Sequence, residues 1–375
     1  MRNRYLDLLR FLAIVRVVVY HTSGWAFLTL VFPAMAVMFA LAGSLMAASL
    51  DRSGVRAVGR RLRRLLPALW IFAAIVVPAM ALTGLPVSWR LALWIAPLTD
   101  PPSNDWGALA TSTIWYLRDY LWFVLVSPVA LWLFRRWPLP TLAAPYLLLV
   151  CAEAGLWPTA HVLHDFGLYF GAWLLGFAHH DGLLRRVPRP ALVSTALVLA
   201  GVGAAWILTH PGPRGFDIND IRLGNALWSA GFVLLLLGLA PARAAWVDRF
   251  ALLSRAVTVL NRRALTIYLW HMPAVIAVAT VAATVGLAGP DTGAIATRLA
   301  AVLALVMVAV ALFGWVEDVS ARRRPVLMPG GSRGPSIPAQ RTGPVPVTVP
   351  STGPAPVPSL APNLAGAELA VRSLR

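Results

Sequence analysis

The chain has 375 residues, of which 59% are hydrophobic and only 13% are charged, and it contains 16 tryptophans. This composition departs from that of soluble domains and indicates a polytopic membrane protein, so a soluble enzyme is excluded. The formal net charge of +17 would suggest nucleic acid in a soluble protein, but every basic residue is an arginine, and most lie in short runs between apolar segments. We therefore expect membrane lipid, and no nucleic acid, as a partner.

The first apolar segment, YLDLLRFLAIVRVVVYH, carries charged residues within a run long enough to cross a membrane. Arg10 and His21 are predicted to share one helix face, about 16 Å apart, with Arg16 on the opposite face. An arginine near the centre of a span costs about 2.5–3.5 kcal/mol, so this polar face should line a protein interior or a wet cavity. Because Arg16 interrupts the apolar run and no cleavage site follows His21, the pattern disfavours a signal peptide.

Ten apolar segments are candidates to cross about 30 Å of hydrocarbon. They comprise residues 5–22, 28–50, 65–84, 114–134, 139–156, 165–179, 190–209, 223–241, 264–287 and 295–316. Arginine-rich connections alternate with arginine-poor ones, and the positive-inside rule therefore places both termini in the cytoplasm. The predicted fold is all-α, a polytopic membrane protein with a bundle of about ten transmembrane helices.

Two segments depart from this bundle. Residues 85–113 contain several prolines and tryptophans and are predicted to form a long outer loop at the membrane interface. Residues 325–375 are rich in Pro, Gly, Ser and Thr and are predicted to form a disordered cytoplasmic tail. The sequence thus predicts one transmembrane domain over residues 1–320, followed by this tail.

Two histidines lie within predicted spans. By the predicted topology, His21 lies near the outer end of the first span, and a neutral imidazole there can take a proton from a hydroxyl group. The other interpretation of His21, an ordinary side chain at the water interface, is favoured for a lone histidine at a helix end. His271, in LTIYLWHMP at a depth similar to that of Arg10, equally fits a hydrogen-bonded core histidine.

A loop with four arginines in five positions is predicted over Gly59 to Trp70, GRRLRRLLPALW, just before a membrane helix. Clustered guanidinium groups such as those of Arg60, Arg61 and Arg64 bind phosphates bidentately, in a cytoplasmic cofactor or in lipid headgroups. Arginines at this position also serve as positive-inside anchors, and position alone does not separate these interpretations.

A fourth polar stretch, STIWYLRDYLWFVLVSP, places Trp115, Arg118 and Asp119 near the start of a span. Adjacent residues on a helix do not face each other, so Arg118 and Asp119 should each find a partner elsewhere in the bundle. A structural salt bridge and a substrate contact are equally compatible with this pattern.

Two clusters contain residue types that bind metals: His161, His164 and Asp165, and His179, His180 and Asp181. Neither presents a helical ligand face with a third partner, so no metal site is predicted. Cys151 is the single cysteine of the chain, which excludes an intrachain disulfide and a cysteine cluster.

Taken in order, the four polar stretches resemble acyltransferase family 3, and the resemblance covers about residues 5–320. Its most specific element is an arginine, ten residues and a histidine, met by Arg10 and His21. The other matching elements are Arg60, Arg61, Arg64 and Pro67 at the entry to the third span, an IWYLR-like segment from Trp115 to Arg118, and an IYLWH-like segment from Tyr268 to His271. One element departs: the family's Phe-Phe-x-x-Ser-Gly-Phe segment is MFALAGSLM here, with the serine displaced to Ser44.

The resemblance implies a bacterial inner-membrane O-acyltransferase that moves an acyl group from cytoplasmic acyl-CoA to a hydroxyl of a carbohydrate-like or secondary-metabolite acceptor. It implies acyl-CoA as a co-substrate and no tightly bound cofactor. The expected site residues fall into three groups: catalytic His21 and Arg10; acyl-CoA-binding Arg60, Arg61, Arg64 and His271; and substrate-binding Trp115, Arg118 and Asp119. An exporter or flippase of a lipid-linked or acylated product is an alternative, because intramembrane charges also mark transport pathways, and a non-catalytic membrane scaffold is a third.

Overall fold

A computed structural model describes residues 3–156, 161–241 and 245–326. The fifteen α-helices within these ranges are α1 (Arg4–Ser23), α2 (Phe27–Val31), α3 (Ala34–Ser53), α4 (Arg56–Leu82), α5 (Asp105–Ala110), α6 (Ile114–Arg136), α7 (Pro138–Glu153), α8 (His161–His180), α9 (Leu183–Arg186), α10 (Arg189–Thr209), α11 (Arg222–Gly238), α12 (Ala251–Arg262), α13 (Ala264–Thr284), α14 (Thr292–Phe313) and α15 (Trp315–Ser320). No strand occurs in these ranges, so the all-α prediction is confirmed. Residues 327–375 of the predicted tail lie outside the described residues.

Six helical segments are long and apolar enough to cross a membrane, which identifies a membrane protein. Among the described residues they are Phe27–Ser53, Arg56–Leu82, Ile114–Arg136, Arg189–Thr209, Ala264–Thr284 and Thr292–Phe313. Each of the ten predicted apolar segments falls largely within a helix, but α1 is not among the six. The count of ten spans and the cytoplasmic termini stay predictions.

Helix α1 has well-defined ends. The Asn3 side chain accepts hydrogen bonds from the backbone N–H groups of Tyr5 and Leu6, which otherwise lack partners in the first turn. Gly24 ends the helix with φ +72, a left-handed conformation that glycine adopts without steric cost. Arg10 therefore lies in the second turn of α1 and His21 in its last turn.

The second predicted span is interrupted. α2 ends before Phe32, and α3 begins after Pro33, which has no N–H to continue the helical hydrogen bonds. Two backbone carbonyls before the break accept from side chains: Trp228 Nε1–H donates to the Leu30 carbonyl at 3.0 Å, and Arg16 Nε–H donates at 3.1 Å to the Leu28 carbonyl, which also accepts from the Phe32 N–H. α2 therefore helps to place the Arg16 side chain.

Two predicted connections are helical instead. α4 begins at Arg56, so the predicted loop over Gly59 to Trp70 is wrong: its arginines lie on the first turns of a long helix. Arginine and leucine are good helix formers, and a helix with one charged turn can extend beyond the apolar layer. The basic connection between the eighth and ninth predicted spans contains α12, whose apolar and polar residues lie on opposite faces.

Helices α3 and α8 make the most extensive contact of the bundle, and their backbones approach each other closely. A Cβ atom at Gly43 would lie 2.2 Å from the Trp173 carbonyl oxygen, and one at Gly176 would lie 2.1 Å from the Ala40 carbonyl oxygen. The two glycines thus let each helix pack directly on the backbone of the other. This contact sets the position of α8, whose first half contributes to the site described below.

We predict that Gly176→Ala destabilises the protein by about 1–3 kcal/mol, because the added methyl overpacks a backbone contact. Gly201→Ala is the matched control: Gly201 also lies inside a helix, α10, but nothing lies within 4 Å of its Cβ position. There alanine should leave stability unchanged or raise it slightly. Thermal unfolding of the two purified variants in the same detergent measures the difference, and equal midpoints would contradict the packing.

Candidate active site

A cavity of about 420 Å³ lies at the end of the bundle where α1 ends. Its walls come from the last turns of α1, the start of α3, the start of α6 with the residues before it, the first half of α8, the start of α11 with the segment before it, and α13. The lining residues are Arg16, Val17, Tyr20, His21, Met35, Ser112, Thr113, Trp115, Asp165, Leu168, Tyr169, Arg214, Asn219, Arg222 and Tyr268. Polar and aromatic side chains therefore surround His21.

His21 lies next to His271, and their ring centroids are 5.3 Å apart. The His271 side chain is fully buried, and its Nδ1 lies 2.7 Å from the Tyr268 carbonyl oxygen. Because a carbonyl only accepts, Nδ1 carries the hydrogen and donates, which leaves Nε2 with a lone pair. That Nε2 has no hydrogen-bond partner among the described residues, and neither does the buried Thr113 Oγ1 in the cavity wall. Such groups are costly unless a ligand or water pairs with them.

Arg10 does not share the cavity with His21. Buried aromatic rings lie between them: Tyr116 contacts Tyr268 at 4.9 Å between centroids, and Tyr268 contacts His271 at 5.6 Å. We name Tyr116, Tyr268 and His271 the aromatic layer. Arg10 lies on its other side, where it interacts electrostatically with Tyr116. Arg10 is therefore not part of the cavity wall beside His21.

Arg16 lines the cavity together with His21, so the prediction that it faces the opposite way is wrong. Its guanidinium group lies 4.9 Å from the centroid of the Tyr20 ring, and Nε–H donates to the Leu28 carbonyl. A long flexible side chain bends around the helix to a polar region, which a helical wheel does not represent.

The segment before α11 is fastened to α1 through the Tyr20 hydroxyl. Tyr20 donates to Asp217 Oδ2 at 2.5 Å and accepts from Arg214 Nη1 at 2.7 Å and from Asn219 Nδ2 at 3.4 Å. Arg214 also holds Asp220 through two hydrogen bonds of 2.9 and 2.6 Å, which lower the pKa of that carboxyl group. This network fixes one wall of the cavity beside His21.

Arg118 lies behind the cavity wall. It bonds Asp119 at 3.1 Å, Asp100 at 2.6 Å and Asp165, and its side chain is only 2% exposed. The expectation that each residue finds a partner elsewhere is confirmed for Arg118, which reaches Asp100 and Asp165, and wrong for Asp119, whose hydrogen bond is with the adjacent Arg118. The cavity is lined by Trp115 and by Asp165, whereas Arg118 and Asp119 are not part of its wall.

The predicted phosphate-binding arginines lie on the far side of the aromatic layer. Arg61 is half-buried and donates to Ser49 Oγ at 3.3 Å and to the Tyr120 hydroxyl at 3.4 Å. Arg64 is exposed and interacts electrostatically with Arg60, Arg61 and Arg323. Arg10 is also within electrostatic reach of Arg61. The structure thus collects Arg10 and these arginines at one end of the bundle and His21 at the other.

The histidines at the end of α8 have neighbours that the sequence analysis missed. His179 Nδ1 lies 2.9 Å from Ser44 Oγ, and the ligand atoms of Asp51, His180 and Asp181 lie within 4.8 Å of one another. Arg135 binds both carboxylates, with contacts of 2.7–3.0 Å. An ion pair network therefore accounts for this cluster. Of the other predicted cluster, Asp165 binds Arg118, and the side chain of His161 lies outside the described residues.

Comparison with known proteins identifies the kind of enzyme. A family model described as an acyltransferase domain matches residues 3–315. The chain belongs to acyltransferase family 3. It is also similar to the exopolysaccharide production protein ExoZ of Rhizobium meliloti (strain 1021), with 28% identity over 319 residues that cover 79% of this chain and 90% of that protein. No solved structure matches the chain. The resemblance read from the sequence is confirmed, and the protein is an acyltransferase.

For this family 3 acyltransferase, sequence reasoning did not assign most of the cavity residues to the site, among them Arg16, Tyr20, Arg214 and Arg222. Tyr20 precedes His21 directly, but a tyrosine near a helix end is typical of the membrane interface, so the pattern gave no separate signal. Arg214 lies 194 residues from Tyr20 along the chain, and only the tertiary fold brings them together.

We predict that Tyr20→Phe loosens the segment over residues 210–221, because Asp217 is nearly fully buried and loses one hydrogen-bond donor. The expected cost is about 1–3 kcal/mol. Hydrogen exchange of this segment, followed by mass spectrometry, should speed up accordingly. Tyr5→Phe is the control, because its hydroxyl donates to the Leu236 carbonyl at the other end of α1. Equal exchange in both variants would contradict the proposed fastening.

Proposed function

We propose that this acyltransferase is a bacterial inner-membrane O-acyltransferase with about ten transmembrane helices and both termini in the cytoplasm. It moves an acyl group from cytoplasmic acyl-CoA to a hydroxyl group of a carbohydrate-like or secondary-metabolite acceptor. No tightly bound cofactor takes part. The name of the similar exopolysaccharide production protein supports a carbohydrate-like acceptor.

The juxtaposition of His21 and His271 is the observation that carries this proposal. His21 lines a cavity large enough for a sugar-sized ligand, which is the kind of site where an acceptor hydroxyl meets a general base. The ring of His271 lies beside His21, and its Nε2 has no hydrogen-bond partner among the described residues. A substrate group that donates a hydrogen bond could bind there. The two histidines thus mark the point where donor and acceptor would meet.

The donor would bind at the arginine-rich end. Arg60, Arg61 and Arg64 would hold the CoA phosphates, since guanidinium groups pair bidentately with phosphate oxygens. Arg10, near Arg61, would balance charge along the path of the acyl-pantetheine arm. For the thioester to reach His21, the arm would have to part the aromatic layer beside His271.

The reaction itself needs one base and one leaving group. A ring nitrogen of His21 takes the proton from the acceptor hydroxyl while that oxygen attacks the thioester carbonyl carbon. The carbonyl re-forms as the carbon–sulfur bond breaks, and the CoA sulfur leaves as a thiolate that takes up the proton. The products are the acylated acceptor and free CoA. A positioned base of this kind typically contributes about 10²–10⁴ in rate.

We predict that His21→Ala lowers acyl transfer at least about 100-fold, because the acceptor proton loses its base. The assay uses membranes from cells that produce the chain, with release of the CoA thiol and the acyl mass on envelope carbohydrates measured together. His210→Ala is the matched control, because His210 is exposed and does not line the cavity. Full transfer by His21→Ala, at equal protein level, would refute the proposed base.

We also predict that replacing Arg61 and Arg64 by glutamine raises the KM for acyl-CoA at least about tenfold with little change in kcat. Loss of phosphate contacts that are equal in the ground and transition states gives this pattern. Arg186→Gln, which removes an exposed arginine away from this cluster, should leave KM unchanged. A KM that stays constant in the double variant would place the donor phosphates elsewhere.

A further inference from the structure

Arg16 is a charged group of the cavity that the proposed reaction does not use. It donates one of its five N–H groups to the Leu28 carbonyl, and the salt bridges of the described residues involve other arginines. Its guanidinium group lies over the Tyr20 ring, and the side chain lines the cavity. A carboxylate within its electrostatic reach, that of Asp217, is bound by Tyr20 and Arg214 instead. An arginine in a membrane protein interior without a salt bridge of its own is costly, which points to a ligand.

The other charged residues of the cavity wall differ in whether a residue of opposite charge already binds them. Asp165 is held by Arg118, and Arg214 is held by the bidentate Asp220. Arg222 has weaker partners: its Nη1 lies 3.5 Å from Glu153 Oε1, with both side chains more than a third exposed, and it is within electrostatic reach of Asp165, which Arg118 binds. Exposed pairs of this kind contribute little.

Two cations, Arg16 and Arg222, thus face the cavity without a strongly bound carboxylate. Arg16 and Arg214 are both within electrostatic reach of His21. A negatively charged group bound beside His21 would therefore meet positive charge.

We propose that the acceptor carries an anionic group, a carboxylate or a phosphate, which Arg16 and Arg222 bind while its hydroxyl lies at His21. This inference rests on the proposed function, because it names the substrate class of the same site. Guanidinium forks match the oxygen geometry of both anions. Trp115, stacked on Tyr169 at 5.3 Å, adds an aromatic surface in the same cavity for the ring of a sugar.

Equilibrium binding of three monosaccharides to the purified full chain tests the inference. The probes are glucose, glucuronate and glucose 1-phosphate, which are neutral, carboxylated and phosphorylated. The variants are Arg16→Gln and Arg222→Gln, with Arg16→Lys to keep the charge. Arg90→Gln is the matched control, because Arg90 is exposed and lies outside the cavity wall. Size-exclusion profiles establish that each variant is folded.

We expect at least one anionic probe to bind at least about tenfold more tightly than glucose, and Arg16→Gln or Arg222→Gln to remove this preference. Preference for glucuronate identifies an acidic sugar, and preference for glucose 1-phosphate identifies a sugar phosphate. The inference is overturned if the probes bind equally, or if the preference survives both glutamine variants. It is also overturned if Arg90→Gln, or the glutamine variant of Arg61 and Arg64, removes the preference equally.

The same binding measurement on His21→Ala separates this inference from the proposed function. Anion preference should persist in His21→Ala, because the imidazole acts on the hydroxyl group and not on the anion. If His21→Ala also keeps full acyl transfer, the proposed base fails while the anion site stands. If His21→Ala loses transfer and no probe is preferred, the base stands and the anionic acceptor fails.

Discussion

The cost of burying charge in an apolar bundle governs this structure. The two fully buried arginines among the described residues both bind carboxylates: Arg118 has three, and Arg263 has Asp318 at 2.6 Å. Breaking one partner of such a pair would leave an uncompensated charge. The half-buried Arg10 and Arg16 on α1 instead donate to neutral oxygens, the side-chain amide of Asn261 and the backbone carbonyl of Leu28. The polar groups left open thus lie where the proposed substrates would bind.

The polar residues of the interior form two groups, with the aromatic layer between them. One contains Arg10 and Arg61, and the other contains His21 and Arg16. A charged CoA and a sugar-like acceptor would each enter from their own side, and only the thioester end of the donor would have to cross. His271 belongs to the layer and touches the ring of His21, so it lies where the two paths would join. The packed rings of this layer would limit access of water to the thioester, as closure of an active site does in general.

Much of the fold could be predicted from the sequence, because long apolar runs with arginine-rich ends specify membrane helices through solvation alone. The same reasoning failed where local geometry decides: at Pro33, which splits a helix, and at Arg56, where a helix begins earlier than the apolar run. Of the site, the sequence identified His21, His271 and Trp115 through a resemblance to known motifs. It could not identify Arg16, whose side chain bends, or Tyr20, whose partners are nearly 200 residues away.

The central claim is that donor and acceptor reach His21 from opposite sides of the membrane. Vesicles prepared from producing cells, either inside-out or right-side-out, test it when acyl-CoA with an isotope-labelled acyl group is added outside. The account predicts that inside-out vesicles, which expose the cytoplasmic face, label the acceptor, that right-side-out vesicles do not, and that inside-out vesicles with His21→Ala stay unlabelled. Labelling in right-side-out vesicles alone, or in inside-out vesicles with His21→Ala, would contradict the account.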